Sequence, residues 1–181
     1  MRSRTKKYAA VLLIVLMTAA LFAGCGSEGT KESGNKEQQN DQKVNGTAKG
    51  YVFETKGTKI AVDTDMALIA EALGEPAKYF EEPSCAAQGI AKLYTYSGFT
   101  VETYPDGDKD LVACVILKDD TVATAEGVDL SMTKDKVIEV YGNDYQETEG
   151  RIAFEKDGMK LCFILDGDNI AAIEYNSSVL D

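Results

Sequence analysis

Histidine is absent from the 181-residue sequence. That removes Ser-His-Asp and Cys-His catalysis, imidazole proton transfer and His-ligated zinc. A Walker phosphate loop and the nucleophile elbow GxSxG are missing as well. No CxxC pair marks a redox centre. Positive charge is scarce: 19 Lys and Arg stand against 30 Asp and Glu, a formal net charge of −11. Phosphate binding needs clustered Lys and Arg, so nucleic acid is excluded as a natural partner, and wide contact with anionic lipid is disfavoured. The acidic surface reads first as a solvation device. In so acidic a chain, paired carboxylates such as Glu81–Glu82 carry no weight as an acid/base pair. The chain is expected not to be an enzyme.

What is present begins with the leader. Arg2, Arg4, Lys6 and Lys7 precede an uncharged apolar stretch from Ala9 to Ala23, so residues 1–24 read as an export signal. The following "LFAGC" resembles a bacterial lipobox, with Phe22 where an aliphatic is usual. The resemblance implies diacylglyceryl transfer to Cys25, cleavage before it, and anchoring by acyl chains at about 0.8 kcal/mol per buried methylene. The expected location is the extracytoplasmic face of the cell membrane. Losing a leader with four positive and no negative charges takes the net charge from −11 to −15. Residues 25–49 follow the cleavage point and are rich in Gly, Ser, Lys, Glu, Gln and Asn. They read as a flexible tether with a root-mean-square span of roughly 25–30 Å.

Hydrophobic content of 44% and charged content of 27% allow the remainder a core. "IAVDTDMALIAEALGEP" aligns with "VDLSMTKDKVIEVYGND", so that Ile60 meets Val128 and Gly74 meets Gly142. Each reads as a short helix, with Asp65 or Thr133 at the N-cap and Ile69/Leu73 or Val137/Tyr141 on one apolar face. Gly74 and Gly142 suit the residue that ends a helix. Hairpin patterns follow: Ser97-Gly98 meets Asp157-Gly158, and Asp106-Gly107-Asp108 meets Asp166-Gly167-Asp168. Lys56-Gly57 marks one further hairpin ahead of the first helix. These patterns predict an α+β fold of two tandem repeats, residues 50–126 and 127–181. Each would be a short helix plus a three-stranded antiparallel meander. The two would share one continuous sheet, with helices on one face and the other face open.

With "LFAGC", the two helix–Gly segments and the two "DGD" hairpins, the chain resembles the tandem units of the β-lactamase inhibitor protein-like fold. It is also similar to small outer-membrane assembly lipoproteins that carry one such unit and, more closely, to lipoproteins of Gram-positive gut bacteria. The resemblance implies a protein-binding or envelope role through the open sheet face. Inhibition of β-lactamase is not carried over, because none of that inhibitor's binding residues matches here position by position.

Three groups of residues are candidates for chemistry. Asp106, Asp108 and Asp110 give the first three ligands of an EF-hand-like loop, but Leu111 and Leu117 occupy the positions that need Gly and Glu. The repeated Asp-Gly-Asp therefore reads first as a turn and only weakly as a cation site. Cys85, Cys114 and Cys162 are an odd number in an exported chain. Either Cys85 bridges to one of the others or all three stay free. Period-two alternation places Thr100, Glu102, Tyr104, Cys114, Lys160 and Ile164 on the open face, with Tyr94 and Tyr96 alternating nearby. The expected function is a lipid-anchored, non-catalytic binding module for an envelope or extracellular protein. It needs no cofactor beyond the diacylglycerol on Cys25. The alternatives are a cation or small-ligand sensor using the Asp-rich hairpins, and a cryptic hydrolase accessory.

Overall fold

A computed structural model describes residues 49–180 apart from residue 86. The leader 1–24, Cys25 and nearly all of the tether lie outside the described residues. Two short strands, β1 (Phe53–Thr55) and β2 (Thr58–Ile60), form a hairpin through Lys56-Gly57. Both turn residues have positive φ, 49° and 77°, the geometry that matches strand twist in a two-residue turn. Helix α1 (Met66–Leu73) precedes β3 (Lys78–Pro83), β4 (Ile90–Thr95), β5 (Phe99–Asp106) and β6 (Lys109–Leu117). Helix α2 (Lys134–Tyr141) precedes β7 (Gln146–Thr148), β8 (Arg151–Lys156), β9 (Met159–Asp166) and β10 (Asn169–Ser177). β3 to β10 form one antiparallel eight-stranded sheet in the order β3-β4-β5-β6-β10-β9-β8-β7.

This corrects the expected fold class. The described residues are mostly β, ten strands against two eight-residue helices, and not an α+β arrangement of repeats. The three-stranded meander is also wrong, because four strands follow each helix. The error has a physical source. β3, "KYFEEP", is exposed at every position and has no buried alternation to betray it, yet it pairs with β4 at six positions. β7, "QET", is exposed throughout in the same way. The boundary expected between Glu126 and Gly127 falls in the connection from β6 to α2, inside one compact unit.

One face of the sheet carries the core. Val101, Val115, Tyr175, Leu161 and Phe154 face one another across five strands, and Phe99, Leu117, Ile173, Phe163 and Ile152 form the next row. All ten belong to a single buried apolar cluster, which Met66 and Ile69 of α1, Val137 of α2 and Phe53 of β1 complete. Burial of such side chains contributes roughly 1.5–3 kcal/mol each. The Phe53 ring meets Phe99 edge-on at 5.0 Å.

The helix starts explain where the Asp-Gly-Asp turns belong. Gly107 and Gly167, with φ of 61° and 64°, each sit first in a two-residue turn, where glycine tolerates the positive angle. Each hairpin then abuts a helix start. Leu111 bridges to Asp65, whose side chain caps α1 by accepting from Ala67 N at 3.0 Å. Asn169 bridges to Thr133, and Lys134 N donates to the Asp168 carbonyl at 2.9 Å. Thr133 was expected to cap α2 through its hydroxyl, but makes no such bond.

A second polar tie closes the fold beside β6. Asp63 N donates to Val112 O at 2.8 Å, and Asp63 Oδ1 accepts from Tyr104 Oη at 2.9 Å and Ser177 Oγ at 2.6 Å. Asp63 also holds a positive φ of 59°. Asp63→Ala is expected to cost about 2–4 kcal/mol, from two stranded hydroxyls and a strained alanine. Asp63→Asn, which keeps an acceptor and tolerates that φ, should cost clearly less. Denaturant midpoints check this; an alanine variant as stable as the parent would contradict it.

Candidate functional site

The opposite face of the sheet is built from alternate residues of the same strands. One row crosses β3 to β8 as Phe80, Leu93, Glu102, Cys114, Asn176, Lys160 and Glu155. The next crosses all eight strands as Lys78, Thr95, Thr100, Ile116, Glu174, Cys162, Ala153 and Gln146. None of these residues is in the apolar cluster. Carboxylates, two amides and two ammonium groups alternate with Leu93, Ile116 and, one position on, Ile164.

Long side chains cover the small ones. Arg151 Nη2 lies 3.0 Å from Cys162 Sγ, and Asn176 Nδ2 lies 3.6 Å from it while also donating to Glu174 Oε2 at 3.1 Å. Cys162 is therefore fully buried on a face without core packing. Burial pushes its thiol pKa up, against the opposing pull of Asn176 and Arg151. Burial, Glu174 and Glu102 push the Cys114 thiol up as well. Neither thiol is poised as a nucleophile. A disulfide between them is excluded by topology. They lie two residues out of line on β6 and β9, strands about 9–10 Å apart with β10 between, beyond the ~7 Å that a bridge spans. Cys85 is exposed in the β3–β4 connection, and all three described cysteines are free.

The expected contact residues divide. Glu102, Lys160 and Ile164 lie half-buried on the open face, with Lys160 Nζ 3.8 Å from Glu155. Thr100 is on that face but only 2% exposed. Tyr94 is not there: it faces Val101 and Tyr79, on the core side, with its ring edge-on to Tyr79 at 5.0 Å. Tyr96 stacks on the core residue Phe99 at 5.1 Å. Tyr104 is 8% exposed and committed to Asp63. The register of β4 against β5 decided the two outer tyrosines, and local alternation alone does not carry that register. The residues missed are Phe80, Leu93, Ile116, Glu174, Asn176 and Arg151. Glu174 and Asn176 were detectable, since they alternate with Ile173 and Tyr175.

The weak metal candidate fares differently. Asp110 is held by Lys92 Nζ at 2.6 Å, and the described residues contain no group of three His, Cys, Asp or Glu able to hold a metal. Beside this hairpin lies an open hollow of about 390 Å³ lined by Glu81, Ile90, Lys92, Pro105 and Asp110. A second hollow of about 310 Å³ lies among Leu73, Tyr96, Phe99 and Val122. No described helix is long and apolar enough to cross a membrane. No protein-family model, no characterised protein and no solved structure matches the chain.

Glu102 gives this face a pH dependence. Burial, then Glu82 and Glu174, raise its pKa above the usual carboxylate range, with Lys118 opposing. Its contribution to stability is complete below that range and is lost as pH rises through the raised pKa. Glu102→Gln lacks this loss. The stability of the variant relative to the parent should therefore increase between pH about 4 and about 7. Chemical denaturation at both pH values checks this, and a difference independent of pH would contradict it.

Proposed function

We propose that the chain is a membrane-anchored, extracytoplasmic lipoprotein whose sheet is a non-catalytic binding surface for an envelope or extracellular protein. The observation that supports this most is the second sheet face. Eight strands present mixed polar and apolar side chains there, and the apolar cluster lies wholly on the other side. Such a mixture on a rigid sheet suits protein contact, where apolar anchors sit among hydrogen-bonding groups. A lipid on Cys25 fixes the location, residues 25–49 give reach, and the sheet makes the contacts. The cation-sensing alternative is weakened because Lys92 already neutralises Asp110.

A photo-reactive residue placed at Ile164 in the full chain, expressed in its own cells, should form a discrete adduct with a second protein. The same probe at Glu139, exposed on α2, should not. Cys25→Ser, which blocks diacylglyceryl transfer, should leave an uncleaved precursor, and normal maturation of that variant would contradict the lipid anchor. Equal adducts at both positions, or none at Ile164, would overturn the reading.

A further inference from the structure

β3 ends the sheet, and no described strand pairs with its outer side. Bare edges of this kind invite pairing with another strand. All six residues of β3 are exposed, Tyr79 by 49% and Phe80 by 60%. One hydrogen bond fixes the direction of its backbone groups. Ser84 N donates to Gly89 O at 3.0 Å, and this bond continues the β3–β4 register. In an antiparallel ladder the pairing groups alternate. Lys78, Phe80 and Glu82 therefore turn their N–H and C=O toward β4, and Tyr79 and Glu81 turn theirs outward.

We propose that this edge pairs antiparallel with the β3 strand of a second copy, about a two-fold axis at Phe80. In that register Tyr79 lies opposite the Glu81 of the other protomer, and Glu81 opposite its Tyr79. The outward groups of these residues then exchange four backbone hydrogen bonds. Phe80 meets its own counterpart, Lys78 meets the second Glu82, and Glu82 meets the second Lys78. These three side chains share the face opposite the core, so Lys-Phe-Glu lies against Glu-Phe-Lys. An interface about a two-fold axis must be self-complementary in this way.

Other registers lose something specific. A shift by one residue sets outward groups against inward ones. A shift by two sets Phe80 against Lys78 or Glu82 and leaves the opposite charges unmatched. Neither Lys78 nor Glu82 has an ion-pair partner among the described residues. Pro83, which lacks an N–H, limits how far the pairing can run. The pairing would double the sheet and join the two open faces edge to edge, while using none of the residues at the centre of either face.

The test uses the full chain, purified in detergent, with Cys85→Ala to remove the exposed thiol. Phe80→Cys places two thiols opposite each other at about 4.5 Å between Cα atoms, within disulfide reach. Mild oxidation should give a covalent dimer. Tyr79→Cys, also exposed but offset from its counterpart, should give little. In the chain without added cysteine, sedimentation should show a dimer that Lys78→Glu abolishes and Lys78→Glu/Glu82→Lys restores. Failure of Phe80→Cys to cross-link would overturn the proposal. So would equal cross-linking at both positions, or a charge-swapped double variant that stays monomeric. The photo-probe at Ile164 reports on the face independently of any of these outcomes.

Discussion

Val115 and Leu117 of β6 lie opposite Tyr175 and Ile173 of β10, and all four are essentially inaccessible to solvent. Among the described residues, this pairing is the only ladder joining the four strands that follow α1 to the four that follow α2. Each half offers one short helix, too little to cover its own four strands. Joined at β6–β10, the halves pool Met66, Ile69, Val137, Phe53 and both rows of strand residues in one apolar cluster. Antiparallel alternation then has a second consequence. A continuous buried row on one face requires a continuous row on the other, so the same seam that completes the core sets Glu102, Cys114, Asn176 and Lys160 in line.

The local devices serve that seam. Asp63 gathers hydroxyls from Tyr104 on β5 and Ser177 at the end of β10, and its backbone meets Val112 of β6. The Asp-Gly-Asp turns work at the same level. Their tight geometry brings Leu111 and Asn169 against the starts of α1 and α2. A motif that looked like a fragment of a cation loop thus belongs to the way each hairpin docks on a helix. Its one strongly engaged carboxylate, Asp110, is matched by Lys92 rather than left for an ion.

Much of this was legible locally and little of it globally. Cap residues Asp65, Gly74 and Gly142, the Lys56-Gly57 hairpin and the alternation through Phe99–Val101 and Met159–Phe163 all follow from short-range rules. The fold class did not follow, because β3 and β7 gain their structure from pairing rather than from burial, so their composition resembles that of a loop. The site suffered for the same reason. Without the β4–β5 register, Tyr94 and Tyr96 could not be assigned to the core side, and without β3 the exposed Phe80 had no place on the sheet. Tyr104 illustrates a different limit: its partner Asp63 is 41 residues away in the chain.

Native-state hydrogen exchange on the full chain tests the central role of the seam most directly. Amides of β6 and β10 should be the slowest to exchange, and should open together in a single event that matches global unfolding. If β6–β10 amides exchange sooner than those within β8–β9 or β5–β6, or the two halves open in separate steps, the sheet is not held as one surface by that pairing.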